Sequence, residues 1–176
     1  MPDPVPRGDH YDDFDSLYGI ETTEKHRPSL HTKKMKGHGM PFSPSTQTAR
    51  NPDLVIQCKE CMKWRVVYSK RKLKPADKNT VTTEVEQLMY SCGSVFQDID
   101  GYEDTFLNVV FVRRNLTCRH DIGVTYYGAG NENICVHCGT LEDVLEHQGY
   151  YPICQGCTVA KKGLVSRRTK TFQAKN

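Results

Sequence analysis

A small α+β domain is the fold that these 176 residues predict: short strands and two short helices around clustered cysteines, led by a disordered arm. Three observations carry that expectation. Six of the eight cysteines fall in Cys-x-x-Cys pairs (Cys58/Cys61, Cys135/Cys138 and Cys154/Cys157), with Cys92 and Cys118 standing singly. Only 37% of the residues are hydrophobic, so the apolar core is small and calls for a staple. The β-forming runs are short, and they lead into or out of cysteines.

Residues 1–50 read as the arm. Pro2, Pro4, Pro6, Pro28, Pro41 and Pro44 interrupt any helix there. The arm is polarised: residues 1–24 hold seven acids against the single base Arg7, whereas residues 25–50 hold six bases and no acid. Within it, residues 11–18 interleave acids with Tyr11, Phe14, Leu17 and Tyr18, a composition suited to docking on a partner.

The two-site domain spans 51–160. Residues 54–57 form a strand entering the first cysteine pair, and residues 64–68 return from it. A helix over 79–90 places Val81, Val85 and Leu88 on one face and delivers Cys92. Residues 106–112 are a run of β-formers, a buried strand that leads to Cys118. Cys135-Val136-His137-Cys138-Gly139 is a metal knuckle, in which glycine permits the positive φ that turns backbone amides toward the sulfurs. Thr140 then caps a short helix with Leu141, Val144 and Leu145 on its apolar face and Gly149 as its stop. Residues 150–153 return the chain to Cys154, and a basic tail, 161–176, follows without any acid.

The staple is metal. No basic start followed by an apolar run is present, so the chain reads as intracellular, where thiols stay reduced and available. Cys135, Cys138, Cys154 and Cys157 have the spacing of two knuckles closing on one ion, similar to zinc ribbons and knuckles. Elimination assembles the first site, 58–118, from Cys58, Cys61, Cys92 and Cys118, with His120 the alternative to Cys118 as fourth ligand. Two zinc ions are therefore the expected cofactors. His137, inside a knuckle whose cysteines already serve, reads as exposed or as a hydrogen-bonding residue behind them.

The formal charge of +3 counts every thiol as neutral. Two zinc centres of four thiolates would bring the chain to about −1, so net charge argues for no partner. Closed four-thiolate sites leave no coordination position for water or substrate, and they consume every sulfur. Gly128-Ala129-Gly130 lacks the strand–helix context of a phosphate loop. The chain thus reads as a binding module, not an enzyme, with no small-molecule substrate. No apolar stretch is long enough to span a bilayer.

Function is expected in local charge. Lys63, Arg65, Lys70, Arg71, Lys72 and Lys74, interrupted by Trp64 and Tyr68, form one basic cluster; Lys161, Lys162, Arg167 and Arg168 form another. Such clusters supply phosphate contacts to DNA or RNA, and exposed aromatics beside them can stack on unpaired bases. A nuclear, chromatin-associated role follows. The alternative is a protein-interaction adaptor using the acid-rich stretch 84–104 and residues 11–18.

Gln57-Cys58-Lys59-Glu60-Cys61-Met62-Lys63-Trp64-Arg65 resembles the opening of CW-type zinc fingers, which read methylated lysine through a tryptophan cage. The resemblance implies that Cys58, Cys61, Cys92 and Cys118 bind one zinc and that Trp64 is a cage wall; the family's second cage position is occupied here by Val55. Read from the residues themselves, Trp64 is a core side chain. The pairs Cys58/Cys61, Cys118/His120, Cys135/Cys138 and Cys154/Cys157 also resemble the interleaved ligand series of RING and PHD fingers, which would imply a ubiquitin-ligase module and leaves Cys92 outside the series.

Overall fold

The computed structural model describes residues 37–167, together with the backbone of Pro6–Arg7 and His10–Tyr11, which pair antiparallel. The remaining arm, with most of its docking segment, and Arg168, Lys170 and Lys175 lie outside the described residues. Among those described, the fold is a small α+β one: three two-stranded ladders, one twelve-residue helix, three five-residue helices and a run of 3-10 turns.

The first hairpin organises the molecule. Val55–Gln57 pairs antiparallel with Trp64–Val66, and the turn between them carries Cys58 and Cys61. Side chains of a strand alternate between faces. Ile56, Cys58 and Val67 accordingly enter one apolar cluster, with Leu73, Val81, Tyr90, Phe96, Leu107 and Val110. Val66 and Tyr68 enter a second, with Met40, Ala49, Ile122, Tyr126 and Ile134, against which Val55 and Trp64 pack half-buried. Cys135, Ile153, Cys154 and Cys157 form a third, small cluster.

The long helix spans Pro75–Glu86 and not 79–90. Proline is favourable at the first helical position, and the Asp77 carboxylate accepts the Lys74 backbone N–H, so the start moves forward. The end moves back because the Leu88 N–H turns to the Val85 carbonyl at 3.0 Å and leaves the α-helical ladder; the Tyr90 carbonyl beyond it accepts the Lys59 N–H of the first cysteine turn at 2.9 Å. Val81 is buried on the expected face, with Val85 and Leu88 half-buried beside it.

Two other expectations are corrected. Residues 106–112 form no strand: Phe106–Val109 is a 3-10 turn, and only Phe111 bridges back to Tyr68. The Thr105 hydroxyl accepts the Leu107 N–H, and the Gln97 amide donates to the Leu107 and Val110 carbonyls, so groups that a ladder would use are taken by side chains. Residues 140–149 form no helix either. Asp143 sits at φ 48, outside helical space, and Val144–Leu145 pairs with Ile153–Cys154.

Residues 37–50 pack on the body, whereas the sequence placed them in the arm. Ser45 caps the helix Thr46–Arg50, which buries Ala49, and Met40 joins the same cluster. From the end of this helix, the buried Asn51 amide donates to the carbonyls of Ser69 and Lys70 at 2.9 and 3.0 Å, and the Asn51 carbonyl accepts the Leu73 N–H. Replacing Asn51 with alanine leaves two carbonyls without their donor. It is expected to lower the stability of the metal-loaded protein by about 1–2 kcal/mol in urea unfolding.

Candidate metal centres

The first centre is built from three segments. Cys58 and Cys61 sit on the hairpin turn, Cys92 follows the long helix, and Cys118 follows the 3-10 turns. All four sulfurs lie within 4.8 Å of one another. Cys58–Cys118 and Cys61–Cys92 are each 3.7 Å apart. A tetrahedron with metal–sulfur bonds of about 2.3 Å has edges of about 3.8 Å, so the spacing fits a single ion. A disulfide needs about 2.05 Å, and no cysteine here is so paired.

His120 is not part of this group. Its Nδ1 accepts the Thr117 backbone N–H at 3.0 Å and contacts the Thr117 hydroxyl. Burial, aided by the Arg65 and Lys63 cations, holds its pKa below the ordinary histidine value. The alternative left open by the sequence is thereby closed in favour of Cys118.

The second centre gathers Cys135, Cys138, Cys154 and Cys157, again within 4.8 Å, with Cys138–Cys154 at 3.6 Å. Its two halves differ. The first is the expected knuckle: Gly139 adopts φ 81 and returns its N–H to the Cys135 carbonyl at 2.8 Å. Met62 does the same in the first centre, at φ 58, with its N–H on the Cys58 carbonyl; no residue type announces it. The second half is no knuckle. Cys154 caps the helix Gln155–Val159, its sulfur accepting the Cys157 N–H, so that pair is presented from a helical turn.

These amides control the thiols. Burial works to raise the Cys58 thiol, but the N–H groups of Cys61, Cys92 and Glu60 outweigh it and lower its pKa to about 7. Burial likewise works to raise the Cys135 thiol, but the N–H groups of Cys138, Cys154 and His137 outweigh it and lower its pKa to about 6. Burial pushes Cys92 up to about 12 against the pull of Arg65, and it also raises Cys118, Cys138 and Cys157. One poised thiolate per cluster is a starting point for metal capture.

Two residues expected at a nucleic-acid surface support the first centre instead. Arg65 is only 2% exposed. Its Nε donates to the Cys92 sulfur at 3.2 Å, Nη1 to the Asp121 carbonyl, and Nη2 to the Thr117 and His120 carbonyls. Lys63 Nζ donates to the Cys118 and His120 carbonyls at 3.0 and 2.9 Å. Arg65 is therefore withdrawn from the phosphate-binding set; it lies opposite Ile56 in the ladder, on the inward face. Tyr68 is buried and bonded to Thr125, so it cannot stack on a base. Trp64 is half-buried, and no aromatic ring pairs with it among the described residues.

The other cationic residues remain outside. Lys70, Arg71, Lys72 and Lys74 are exposed around the buried Leu73, as are Lys161, Lys162 and Arg167. Arg167 is anchored on the Tyr150 carbonyl at 2.7 Å and lies over the Tyr151 ring.

The centres are consecutive in the chain, not interleaved, which removes the cross-braced RING or PHD arrangement. They touch through residues 117–122. The Ile122 N–H donates to the Val136 carbonyl at 2.7 Å, and Asp121 bonds the Nδ1 of buried His137, whose Nε2 reaches the Gly163 carbonyl. No protein-family model, no curated protein and no solved structure matches this chain.

Proposed function

We propose that this protein is a zinc-stabilised, non-catalytic module that binds nucleic acid. All eight thiols are gathered in two closed four-sulfur groups, and neither group includes the carboxylate or histidine ligands that usually accompany a catalytic water. Reduced thiols available for zinc fit an intracellular setting, and the cationic runs fit a nuclear one.

The observation that carries the binding reading is the loop 70–74. Leu73 is buried, Asn51 clamps the start of the loop, and Lys70, Arg71, Lys72 and Lys74 project outward from that fixed backbone. Cations on a held loop lose less entropy on meeting phosphates than cations on a free tail. Elemental analysis is expected to find two zinc ions per purified chain; iron would instead indicate an iron–sulfur site. Titration with a labelled polynucleotide is expected to give a log affinity that falls with log salt, at a slope of about −3 for four phosphate contacts. Converting all four cations to glutamine should remove that dependence. Undetectable binding at low salt by the metal-loaded protein would overturn the reading.

A second reading, a protein-docking adaptor, has one observation of its own. A groove of about 290 Å³ runs between the first hairpin and the long helix, lined by Val55, Trp64, Val85 and Leu88 among others. Capture of a partner that persists in high salt and after nuclease treatment, and that is lost on Leu88→Asp, would favour it.

A further inference from the structure

A cleft of about 420 Å³ opens beside the basic loop, between the chain entering the first helix and the segment that follows the 3-10 turns. Phe42 and Phe111 meet in it edge to face, with centroids 5.4 Å apart, and both rings are half-buried, so each keeps part of its surface in solvent. Lys70 and Arg71 form the adjacent wall, and no acidic side chain lines the cleft among the described residues. The backbone there is fixed. Phe111 exchanges both hydrogen bonds with Tyr68 at 2.8 Å, and the Ser69 N–H is held by the Thr48 carbonyl at 2.9 Å.

An apolar aromatic surface flanked by two cations fits the two halves of a nucleotide. The ring faces accept an unpaired base, and the cations accept its phosphate. A duplex offers the phosphate but keeps its bases stacked inside. We infer that the Phe42/Phe111 cleft is a stacking site for an unpaired base, and that the nucleic acid bound is single-stranded. The inference rests on the nucleic-acid reading above and specifies its ligand. Phe42 and Phe111 thus take the part first expected of Trp64 and Tyr68.

The test uses the metal-loaded full chain with three fluorescent probes: an oligothymidylate, an oligouridylate and a DNA duplex of matched charge. Both single strands are expected to bind about tenfold or more tighter than the duplex, and the ratio between them assigns the preferred sugar. Phe42→Leu should weaken single-strand binding by about tenfold without altering its salt dependence, whereas Phe42→Tyr should retain it. Lys70→Gln and Arg71→Gln should each reduce the salt slope by about 0.7. Because Phe42→Leu could disturb packing, the wild-type protein is also crosslinked to a thiouridine-bearing strand, with the adduct expected on Phe42 or Phe111. Equal affinity for single strand and duplex, or adducts confined to other residues, would overturn the stacking site while leaving the basic loop as a general phosphate binder. Failure to bind any of the three probes at low salt would overturn the nucleic-acid reading itself.

Discussion

Removing the metal is expected to unfold residues 135–167, at a cost on the order of 10 kcal/mol, while the region around the long helix keeps residual structure. The difference follows from what each centre has besides sulfur. In the cluster around the second centre, Ile153 is the only fully buried member that is not a cysteine. Val136 and Pro152 are buried in the same segment, but three such side chains at about 1.5–3 kcal/mol each cannot offset an ordering cost of about 1–2 kcal/mol per residue over the whole segment. The first centre stands inside a cluster that also buries Ile56, Val67, Leu73, Val81, Phe96, Leu107, Val110 and Val112. Amide exchange of chelator-treated protein should show full loss of protection across 135–167 and partial protection across 75–86. Uniform retention of protection would show that the sulfurs do not hold the fold.

Acid should release the metal from both centres. The loaded centres carry no thiol protons, whereas the metal-free protein keeps protons on Cys92, Cys118, Cys138 and Cys157, whose pKa values are raised. Loading therefore releases protons, and affinity rises with pH and falls on acidification. Cys58, with a lowered pKa of about 7, and Cys135, with one of about 6, take up their protons last as the pH falls, so each centre keeps one thiolate longest. A stepwise acid titration with a metal indicator should find both centres losing metal as the pH falls, and pH-independent retention would count against thiolate ligation.

The second large effect is expected at Arg65. This side chain places a cation beside a four-thiolate group and satisfies three backbone carbonyls, with almost no solvent contact. Arg65→Met takes the donor from the Asp121 carbonyl and from the Cys92 sulfur, and one of two donors from the Thr117 and His120 carbonyls. It should lower stability by about 3–5 kcal/mol, the range for breaking a buried charged pair. Metal affinity at the first centre should fall about 10- to 100-fold while the second loads normally. Arg65→Lys should recover little, because a single ammonium cannot reach acceptors placed around a planar fork. Chelator competition resolved by centre measures both effects. Equal weakening of the two centres would show that the arginine supports the fold generally and not this site.

The cysteines were legible because ligand spacing is local chemistry: a tight turn must bring Cys58 to Cys61 and Cys135 to Cys138 whatever surrounds them. The hairpin was legible for a related reason, since Ile56 and Val67 on one face and Val55 and Val66 on the other mark a period of two. Arg65 shows where composition misleads. A run of lysines and arginines reads as a charged surface, but the alternation that turns Ile56 inward turns its ladder partner Arg65 inward as well. The strand expected at 106–112 failed because Gln97, distant in sequence, takes the carbonyls of Leu107 and Val110. The helix expected after Thr140 failed on a left-handed Asp143, a conformation that aspartate tolerates but does not advertise. Phe42 lay in what read as a flexible arm, so its cleft became visible only once the arm was seen to pack.

The consecutive order of the two centres has a consequence for how the molecule is made. Every ligand of the first centre has been synthesised by residue 118, before any ligand of the second exists. A chain growing from its N-terminus at about 5–20 residues per second can close one centre around an ion while the other is still untranslated. Interleaved ligands would delay this, because the first ion could be enclosed only after some ligands of the other centre had also been made. The order of the ligands thus permits vectorial metal acquisition, and metal scarcity during translation is expected to leave a half-built species: first centre closed, second lobe slack.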